Sequence, residues 1–354
     1  MTNRMDPVWN DASVVFDRET VALLLEIEEF KGEWKACRLA PQRLAELRRI
    51  ASIESVASSC RIEGSKLTDA DVVRIFSTQS QQSHTAPDER EAAGCALLMR
   101  EILESWPEMP LSEGTILHMH DVLMQFSEKN AGNRGIYKTT DNCIAAFDSA
   151  GRQIGVVLET ASASDTPRLM TELLDWTNRQ LDDKSLPALM VIGMFAAAFL
   201  AIHPFDDGNG RMARALTTLL LLRTGYDFVP YDSLDRIFEQ SKESYYITLH
   251  ATQKTLASAK PNWNIWLYFF LLSLAKLVRS LKRKIENLQL VQKMPEASSR
   301  ILELVRNRSS VSIAEAAAVL NINKHTLRDH FKRLVHDGRL MRVGNARASR
   351  YILR

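Results

Sequence analysis

The chain has 354 residues, of which 45% are hydrophobic, and a formal net charge of +2 at pH 7. This composition predicts a sizeable core in two or three domains and excludes a polycation. The four cysteines lie far apart without a CxxC pair, residues 1–20 lack a signal-peptide pattern, and the most apolar runs, 186–202 and 263–277, are short or carry polar residues. We therefore expect a cytoplasmic protein without a membrane span.

Helical spacing of apolar residues dominates the chain, so a mainly α fold is expected. Thr68 and Asp71 resemble a capping box that opens a helix over 70–76. Pro87, followed by two acidic residues, suits the first turn of a helix that continues to residue 104. Further apolar helix patterns lie at 21–30, 44–56, 92–106, 116–126, 169–176, 191–201 and 263–278.

A short segment follows the helix pattern over 42–58. Ser59 and Glu63 are four residues apart and share a helical face. Gly64 suits the end of that helix. By itself the segment is typical of an ordinary helix terminus.

One segment breaks the helical pattern. Residues 142–147 and 153–158, joined by the turn-like residues 148–151, predict a β-hairpin. A lone hairpin is marginally stable in water, so it must pack on the helices. Two interpretations are open: a surface hairpin, or a flap whose free edge holds an extended peptide.

Residues 203–214 read His-Pro-Phe-Asp-Asp-Gly-Asn-Gly-Arg-Met-Ala-Arg and lie between two apolar helix patterns. Gly208, Asn209 and Gly210 can turn the backbone so that successive amides point inward at the start of a helix, which favours an anion. Arg211 and Arg214 are three apart and share a helical face. The guanidinium fork suits phosphate oxygens. The stretch therefore predicts a phosphate site.

Three other residues of this loop have distinct expected roles. Asp207 is explained if Mg²⁺ bridges it to the phosphates. His203, as a neutral imidazole, can take a proton from a hydroxyl group that attacks phosphorus. Phe205 is expected to be a core anchor that fixes the loop.

The C-terminal part is basic. Residues 295–354 hold twelve Lys and Arg and five Asp and Glu, a net charge of +7. We expect a linker at 282–295, with Ser312 and Asn323 capping the second and third of three helices. Three helices and a hairpin form the plan of a winged helix-turn-helix, for which DNA contact and protein docking both stay open. The helices are expected at 299–306, 313–320 and 324–338, and the strands at 340–343 and 349–353 around a turn at 344–346.

The stretch from His203 to Arg214 resembles the signature of the Fic family, His-Pro-Phe-x-[Asp/Glu]-Gly-Asn-Gly-Arg-x-x-Arg, at every fixed position. The likeness extends over residues 111–249. It implies a Fic-type helical bundle with a hairpin flap. It also implies a protein adenylyltransferase that transfers AMP from ATP to a Tyr, Thr or Ser hydroxyl of a target protein, or of itself, and releases pyrophosphate.

The resemblance also implies roles for single residues. His203 would be the general base and Asp207 the Mg²⁺ ligand. Arg214 would meet the γ-phosphate, and the α- and β-phosphates would be held by Gly208, Asn209, Gly210 and Arg211. Tyr245 and Tyr246 resemble the adenine-side segment of the family, although both are equally explained as core aromatics.

Two departures from the family pattern concern the flap. Lys138 stands where arginine is commoner in the segment before the hairpin. The Pro-Pro pair that is common after the hairpin is absent, and only Pro167 is found there. These departures bear on the shape of the flap and on its target.

Ser59, Glu63 and Gly64 are similar to the inhibitory motif of the Fic family, [Ser/Thr]-x-x-x-Glu-[Gly/Asn]. A carboxylate beside Arg214 would form a charge-assisted pair and occupy the arginine that the γ-phosphate needs. The resemblance therefore implies autoinhibition by a helix that precedes the Fic core.

Several alternatives stay open. The same pocket would suit a hydrolase that removes AMP from a modified protein with Glu63 positioning water, or a nucleotide-sensing regulator that binds DNA. UTP and CDP-choline are other conceivable donors, and the chain is compatible with a homodimer. We expect an N-terminal helical region over 1–108, the catalytic core over 109–290 and the winged helix over 291–354.

Overall fold

The computed structural model describes residues 14–37, 39–77, 86–127, 132–147, 153–258, 260–292, 296–344 and 349–354. The chain divides into two units, Met1–Leu281 and Lys282–Arg354. The described residues form fourteen α-helices and two antiparallel two-stranded sheets, one in each unit. The mainly α fold is therefore confirmed. The domain boundaries expected from the sequence stay predictions.

Five α-helices precede the hairpin, and polar side chains cap the start of three of them, including Ser112 before Glu113–Leu123. Asp17 accepts a hydrogen bond from the backbone N–H of Thr20 at 2.7 Å. Thr68 and Asp71 form the predicted capping box, since each side chain accepts from the backbone N–H of the other. Such bonds satisfy N–H groups that the first helical turn leaves unpaired. The helices are α1 Arg18–Ala36, α2 Pro41–Ile62, α3 Asp69–Ser77, α4 Pro87–Ser105 and α5 Glu113–Leu123.

The hairpin consists of β1 Cys143–Phe147 and β2 Gln153–Glu159, an antiparallel pair with two register irregularities. Its strands lie where the sequence predicts them, whereas the predicted turn at 148–151 lies outside the described residues. We call residues 142–147 and 153–160 the flap.

Helices α7 (Ala188–Ile202) and α8 (Asn209–Arg223) pack against each other in the first unit. Every residue from Leu189 to Ile202 is buried, which explains the unbroken apolar run. Gly193 allows the next long helix to approach, since a Cβ atom there would lie 2.7 Å from Cδ2 of Leu267. The helices after the flap are α6 Thr166–Asp183, α7 Ala188–Ile202, α8 Asn209–Arg223, α9 Leu234–Gln240 and α10 Lys242–Gln253.

Helix α11 spans Asn264–Gln292. Residues 264–289 are long and apolar enough to cross a membrane by length and composition, but 61% of the apolar window is buried inside the protein. Trp266 donates from its ring Nε1 to the carbonyl oxygen of Gly193 at 2.7 Å. This burial fits the core helix expected from the sequence.

The helix also corrects one expectation. Residues 282–292 are helical and do not form the linker that their polar composition predicts. The physical reason is that Leu281 and Ile285, four residues apart, are both buried. A single apolar stripe thus continues the helix while the other faces turn polar.

The second unit consists of α12 Glu296–Arg308, α13 Ile313–Leu320, α14 Lys324–His336 and the antiparallel strands β3 Leu340–Val343 and β4 Arg350–Leu353. Ser312 and Glu315 form a capping box at α13, and Asn323 caps α14. The expected turn residues 345 and 346 lie outside the described residues. The core of this unit contains Ile301, Val305, Leu327, Phe331, Leu340 and Tyr351.

Candidate active site

His203 ends α7 with its backbone in the left-handed region, at a φ of 54°, which is uncommon for a residue with a side chain. The ring Nδ1 lies 3.3 Å from the carbonyl oxygen of Leu200. Because a carbonyl oxygen only accepts hydrogen bonds, Nδ1 carries the proton and Nε2 keeps its lone pair. Burial lowers the pKa of His203 to about 4. The imidazole is therefore neutral at pH 7, as a general base requires.

The side chain of Asn209 closes the loop between α7 and α8. Its Oδ1 accepts from the backbone N–H of Phe205 at 2.9 Å, and its Nδ2 donates to the carbonyl oxygen of Phe205 at 2.7 Å. The oxygen and the nitrogen of the Asn209 side chain thus both bind the backbone of the loop. A phosphate would therefore be bound by the backbone N–H of Asn209 and not by its side chain. Phe205 is fully buried, which confirms it as the core anchor.

His120 of α5 supports the same loop, although the sequence alone did not predict this role. Its ring stacks on Phe205, with the ring centroids 3.7 Å apart. Nδ1 accepts from the backbone N–H of Gly135 at 3.1 Å, so Nε2 donates to the carbonyl oxygen of Asp207 at 3.2 Å. The only sequence signal is a histidine within the apolar pattern over 116–126.

Arg214 of α8 is 4% exposed and binds the end of α2. Its Nε donates to Oγ of Ser59 at 2.8 Å, and its Nη2 donates to the carbonyl oxygen of Ser59 at 2.9 Å and to Oε1 of Glu63 at 2.8 Å. Its Nη1 is buried without a hydrogen-bond partner among the described residues. The structure therefore places Ser59 and Glu63, two residues of the predicted inhibitory motif, in contact with Arg214.

Glu63 covers the first turn of α8. A Cβ atom at Gly210 would lie 2.0 Å from Oε1 of Glu63 and 3.3 Å from Nη1 of Arg214. The carboxylate thus fills the space over the N-terminal turn of the helix, where unpaired backbone N–H groups favour an anion. Gly64 has a φ of 104°, in the left-handed region that favours glycine, and ends the helical path directly after Glu63.

Arg211 is also held by carboxylates. Its Nη1 donates to Oε2 of Glu91 at 2.9 Å, and its Nη2 donates to Oδ1 of Asp207 at 3.4 Å. Burial raises the pKa of Glu91. Glu91 was not predicted from the sequence because it lies 120 residues from Arg211, on α4.

Asp207 is the residue that could bind a cation. Its side chain is 48% exposed. Among the residues that the structure describes, no group of three or more His, Cys, Asp or Glu could hold a metal ion by itself. One accessible carboxylate fits an Mg²⁺ ion whose other ligands are phosphate oxygens and water.

A cavity of about 290 Å³ adjoins His203, Glu63 and Gly210. Tyr245 and Tyr246 both line it. Tyr245 is buried and packs edge-on against Trp266, so it is a core aromatic as well. Tyr246 is 42% exposed, and its hydroxyl donates to the carbonyl oxygen of Ile62 at 3.1 Å. The predicted adenine-side segment and the predicted base thus share one cavity.

Residues 110–221 match the Fic/DOC family. The chain is 25% identical over 205 residues to the protein adenylyltransferase Fic of Drosophila grimshawi, covering 57% of this chain and 40% of that protein. It is 28% identical over 159 residues to the protein adenylyltransferase fic-1 of Caenorhabditis briggsae, covering 44% of this chain and 26% of that protein. The chain therefore spans at most two fifths of these two relatives.

Solved structures share the fold. A Fic family protein from Desulfovibrio desulfuricans G20 has a TM-score of 0.62 at 22% identity and covers 98% of both chains. Residues 134–508 of Fic-1 from C. elegans have a TM-score of 0.58 at 19% identity, covering 77% of this chain and 74% of that one. The Fic-type helical bundle expected from the sequence is confirmed.

Proposed function

We propose that this protein is an autoinhibited protein adenylyltransferase, because residues 110–221 match the Fic/DOC family. It transfers AMP from ATP to a Tyr, Thr or Ser hydroxyl of a target protein or of itself. The observation that carries this proposal is the arrangement of His203, Gly210 and Glu63 around one cavity, with Glu63 bound to Arg214.

The chemistry follows from the residues around the cavity. The backbone N–H groups of the first turn of α8 and the guanidinium groups of Arg211 and Arg214 would hold the phosphates of ATP. Asp207 would hold Mg²⁺, which neutralises phosphate charge. Nε2 of His203 accepts the hydroxyl proton while the oxygen attacks the α-phosphorus. The bond from that phosphorus to the bridging oxygen breaks, and pyrophosphate leaves.

Glu63 would keep this reaction off. Its carboxylate fills the space at Gly210 and binds the guanidinium that the γ-phosphate needs. Two negative groups in one small volume repel each other, so ATP cannot take the pose for in-line attack while Glu63 stays in place.

The test is Glu63→Gly with α-labelled ATP and Mg²⁺. A charge-assisted hydrogen bond is worth about 1.5–3 kcal/mol, so its loss should raise self-labelling by about 10- to 100-fold. The matched control is Glu104→Gly, which changes an exposed glutamate of α4. Glu63→Gly/His203→Ala should bind ATP but transfer nothing. Equal labelling by wild type and Glu63→Gly would refute the inhibition, and labelling by the double variant would remove His203 as the base.

A second candidate reaction uses the same cavity. Because Glu63 lies beside the cavity that holds His203, it could position water for hydrolysis of an AMP-modified protein. Incubation of purified AMP-modified target with wild type and Glu63→Gly distinguishes the two reactions. Release of AMP by wild type alone would favour the hydrolase.

We also propose that the second unit is a winged helix-turn-helix that contacts DNA. Support comes from a groove of about 660 Å³ that is lined by Lys324, Arg328 and Lys332 of α14 and by Arg342 of β3. Three cations four residues apart form one basic face of the helix. Protein docking is the other outcome of its test. Localisation to the cytoplasm and assembly as a homodimer stay predictions.

A further inference from the structure

Lys138 is a buried lysine, only 3% exposed, between the flap and the catalytic loop. Its Nζ donates to Oδ1 of Asn142 at 2.8 Å, to Oγ1 of Thr160 at 3.1 Å and to the carbonyl oxygen of Ile202 at 3.0 Å. Asn142 directly precedes β1, Thr160 directly follows β2, and Ile202 is the last residue of α7. One ammonium group therefore joins both ends of the flap to the helix that carries His203.

We propose that Lys138 is a positioning residue, which holds the flap in register with His203 so that a target hydroxyl held by the flap meets the base. The inference rests on the proposed transfer reaction. It assigns a task to the position where this chain departs from the arginine commoner in its family.

The neighbouring bonds form a closed network. The backbone N–H of Lys138 donates to the carbonyl oxygen of Pro204 at 2.9 Å. Nδ2 of Asn142 donates to the carbonyl oxygen of Phe205 at 3.0 Å, and Oγ1 of Thr160 donates to the carbonyl oxygen of Asn142 at 2.7 Å. Each end of the flap is thus bonded to Lys138 and to the other end, and the network reaches the residues directly after His203.

The charge of Lys138 argues against a residue that only stabilises the fold. No carboxylate lies within ion-pair distance of Lys138 among the described residues, and burial lowers its pKa to about 8. The charges of Asp141 and Asp206 raise this pKa but do not outweigh burial. A buried ammonium without an ion-pair partner costs free energy even when its three hydrogens are bonded. A methionine would fill the same volume without that cost. What lysine adds is three donors that converge from one atom on three chain segments.

Lys138 also acts on the base through space. Its positive charge is one cause that lowers the pKa of His203, after burial. A single residue therefore both orients the flap and favours the neutral imidazole. Neither task requires contact with ATP.

The experiment compares Lys138→Met, Lys138→Arg and the control Lys276→Met, which changes an exposed lysine of α11. The first measurement is the rate of amide hydrogen exchange in the flap. Loss of these bonds should speed exchange of residues 143–147 and 153–159 by at least about tenfold in Lys138→Met, while the control stays at the wild-type rate. Lys138→Arg, which retains donors, should recover most of the protection. If Lys138→Met fails to fold, Lys138→Gln replaces it.

The second readout is kinetic, in the Glu63→Gly background. Lys138→Met should lower kcat for self-labelling with α-labelled ATP by at least about tenfold, while the KM for ATP changes less than about twofold. Wild-type exchange of the flap together with an unchanged kcat for self-labelling would overturn the proposal. If Glu63→Gly shows no transfer at all, the proposed function fails, and the exchange readout still judges Lys138 on its own.

Discussion

At the scale of single residues, burial disfavours the charged form of both His203 and Arg214, but the net pKa shifts of the two groups are opposite. It removes the proton from His203, whose pKa falls to about 4, and so prepares a base. Burial also opposes the charge of Arg214, but the carboxylates of Glu63 and Asp235 outweigh it and raise the pKa of the guanidinium. A nucleotide that displaces Glu63 must supply the same compensation, which its phosphates can do.

The low pKa of His203 leads to a pH prediction. Since the base is already neutral above pH 5, kcat/KM of Glu63→Gly should stay flat from about pH 7 to about 5 and fall below it. Folding stability should fall as pH decreases from about 6.5 towards 4, because the unfolded imidazole binds a proton that the folded one does not. Initial rates and thermal melts across this range check both statements. A half-maximal rate near pH 6.5 would contradict a buried, neutral base.

The residues that the sequence predicted share one property. His203, Asp207, Arg211 and Arg214 lie within twelve consecutive positions, where spacing along the chain constrains spacing in the site. His120 and Glu91 lie 87 and 120 residues from their partners. Without the fold, nothing in the local sequence pairs them. The link from Glu63 to Arg214, 151 residues apart, was predictable only through the family resemblance.

At the scale of elements, the last turn of α2 is held by α9 and α10. The guanidinium of Arg61 donates to both carboxylate oxygens of Glu239, at 2.6 and 2.9 Å. Nζ of Lys242 donates to the carbonyl oxygen of Arg61 at 3.1 Å. Tyr246 binds the next carbonyl, that of Ile62. Side chains from the helices beside the cavity thus fix the turn that presents Glu63.

Loosening this contact should relieve part of the inhibition. Glu239→Gln removes the charge opposite Arg61, and a partly exposed ion pair is worth about 1 kcal/mol or less, so self-labelling should rise by about two- to fivefold. The rise should be smaller than in Glu63→Gly, because the inhibitory carboxylate remains. Glu243→Gln, an exposed residue of α10, is the matched control. Labelling equal to the control would show that Glu239 does not restrain Glu63.

Most elements could be predicted from periodicity, because each buries one face. The flap strands were predictable from the break in helical spacing on both sides of a turn-like segment, and α7 from its unbroken apolar run. The extent of α11 was not, because the polar composition of residues 282–292 hides the buried Ile285, which lies four residues after the buried Leu281. The composition of a segment is an average over all faces of a helix, whereas only one face has to be apolar for the helix to pack against the protein.

At the scale of the whole molecule, charge is divided between the two units. Residues 295–354 have a net charge of +7, so the remaining residues have a net charge of −5, from a total of +2. In the second unit, Arg350 is paired with Glu315, whereas Lys324, Arg328 and Lys332 have no ion pair among the residues described there. Part of the excess positive charge therefore lies along one face of α14.

This charge gives a test of the proposed DNA contact. Binding of a labelled DNA duplex by the full chain should weaken steeply between about 50 and 200 mM salt, as expected when several phosphates are neutralised. Arg328→Gln/Lys332→Gln should weaken binding and reduce the salt slope by about 2. Arg306→Gln/Arg308→Gln removes the same charge from α12 and should have less effect. No binding at low salt would instead favour protein docking.

If the proposed function holds, the place of Glu63 over Gly210 would make the resting carboxylate a tethered competitor of the nucleotide. A tethered competitor acts at a fixed effective concentration, so the ATP concentration for half-maximal activity is the intrinsic value divided by the fraction of molecules in which Glu63 has moved away. An open fraction of about one in a hundred raises that concentration about a hundredfold. The strength of the contacts that Arg61 and Tyr246 make at the end of α2 would then set the ATP concentration for half-maximal activity. Substitutions remote from the phosphates could change this concentration without changing the rate of AMP transfer in the open molecules.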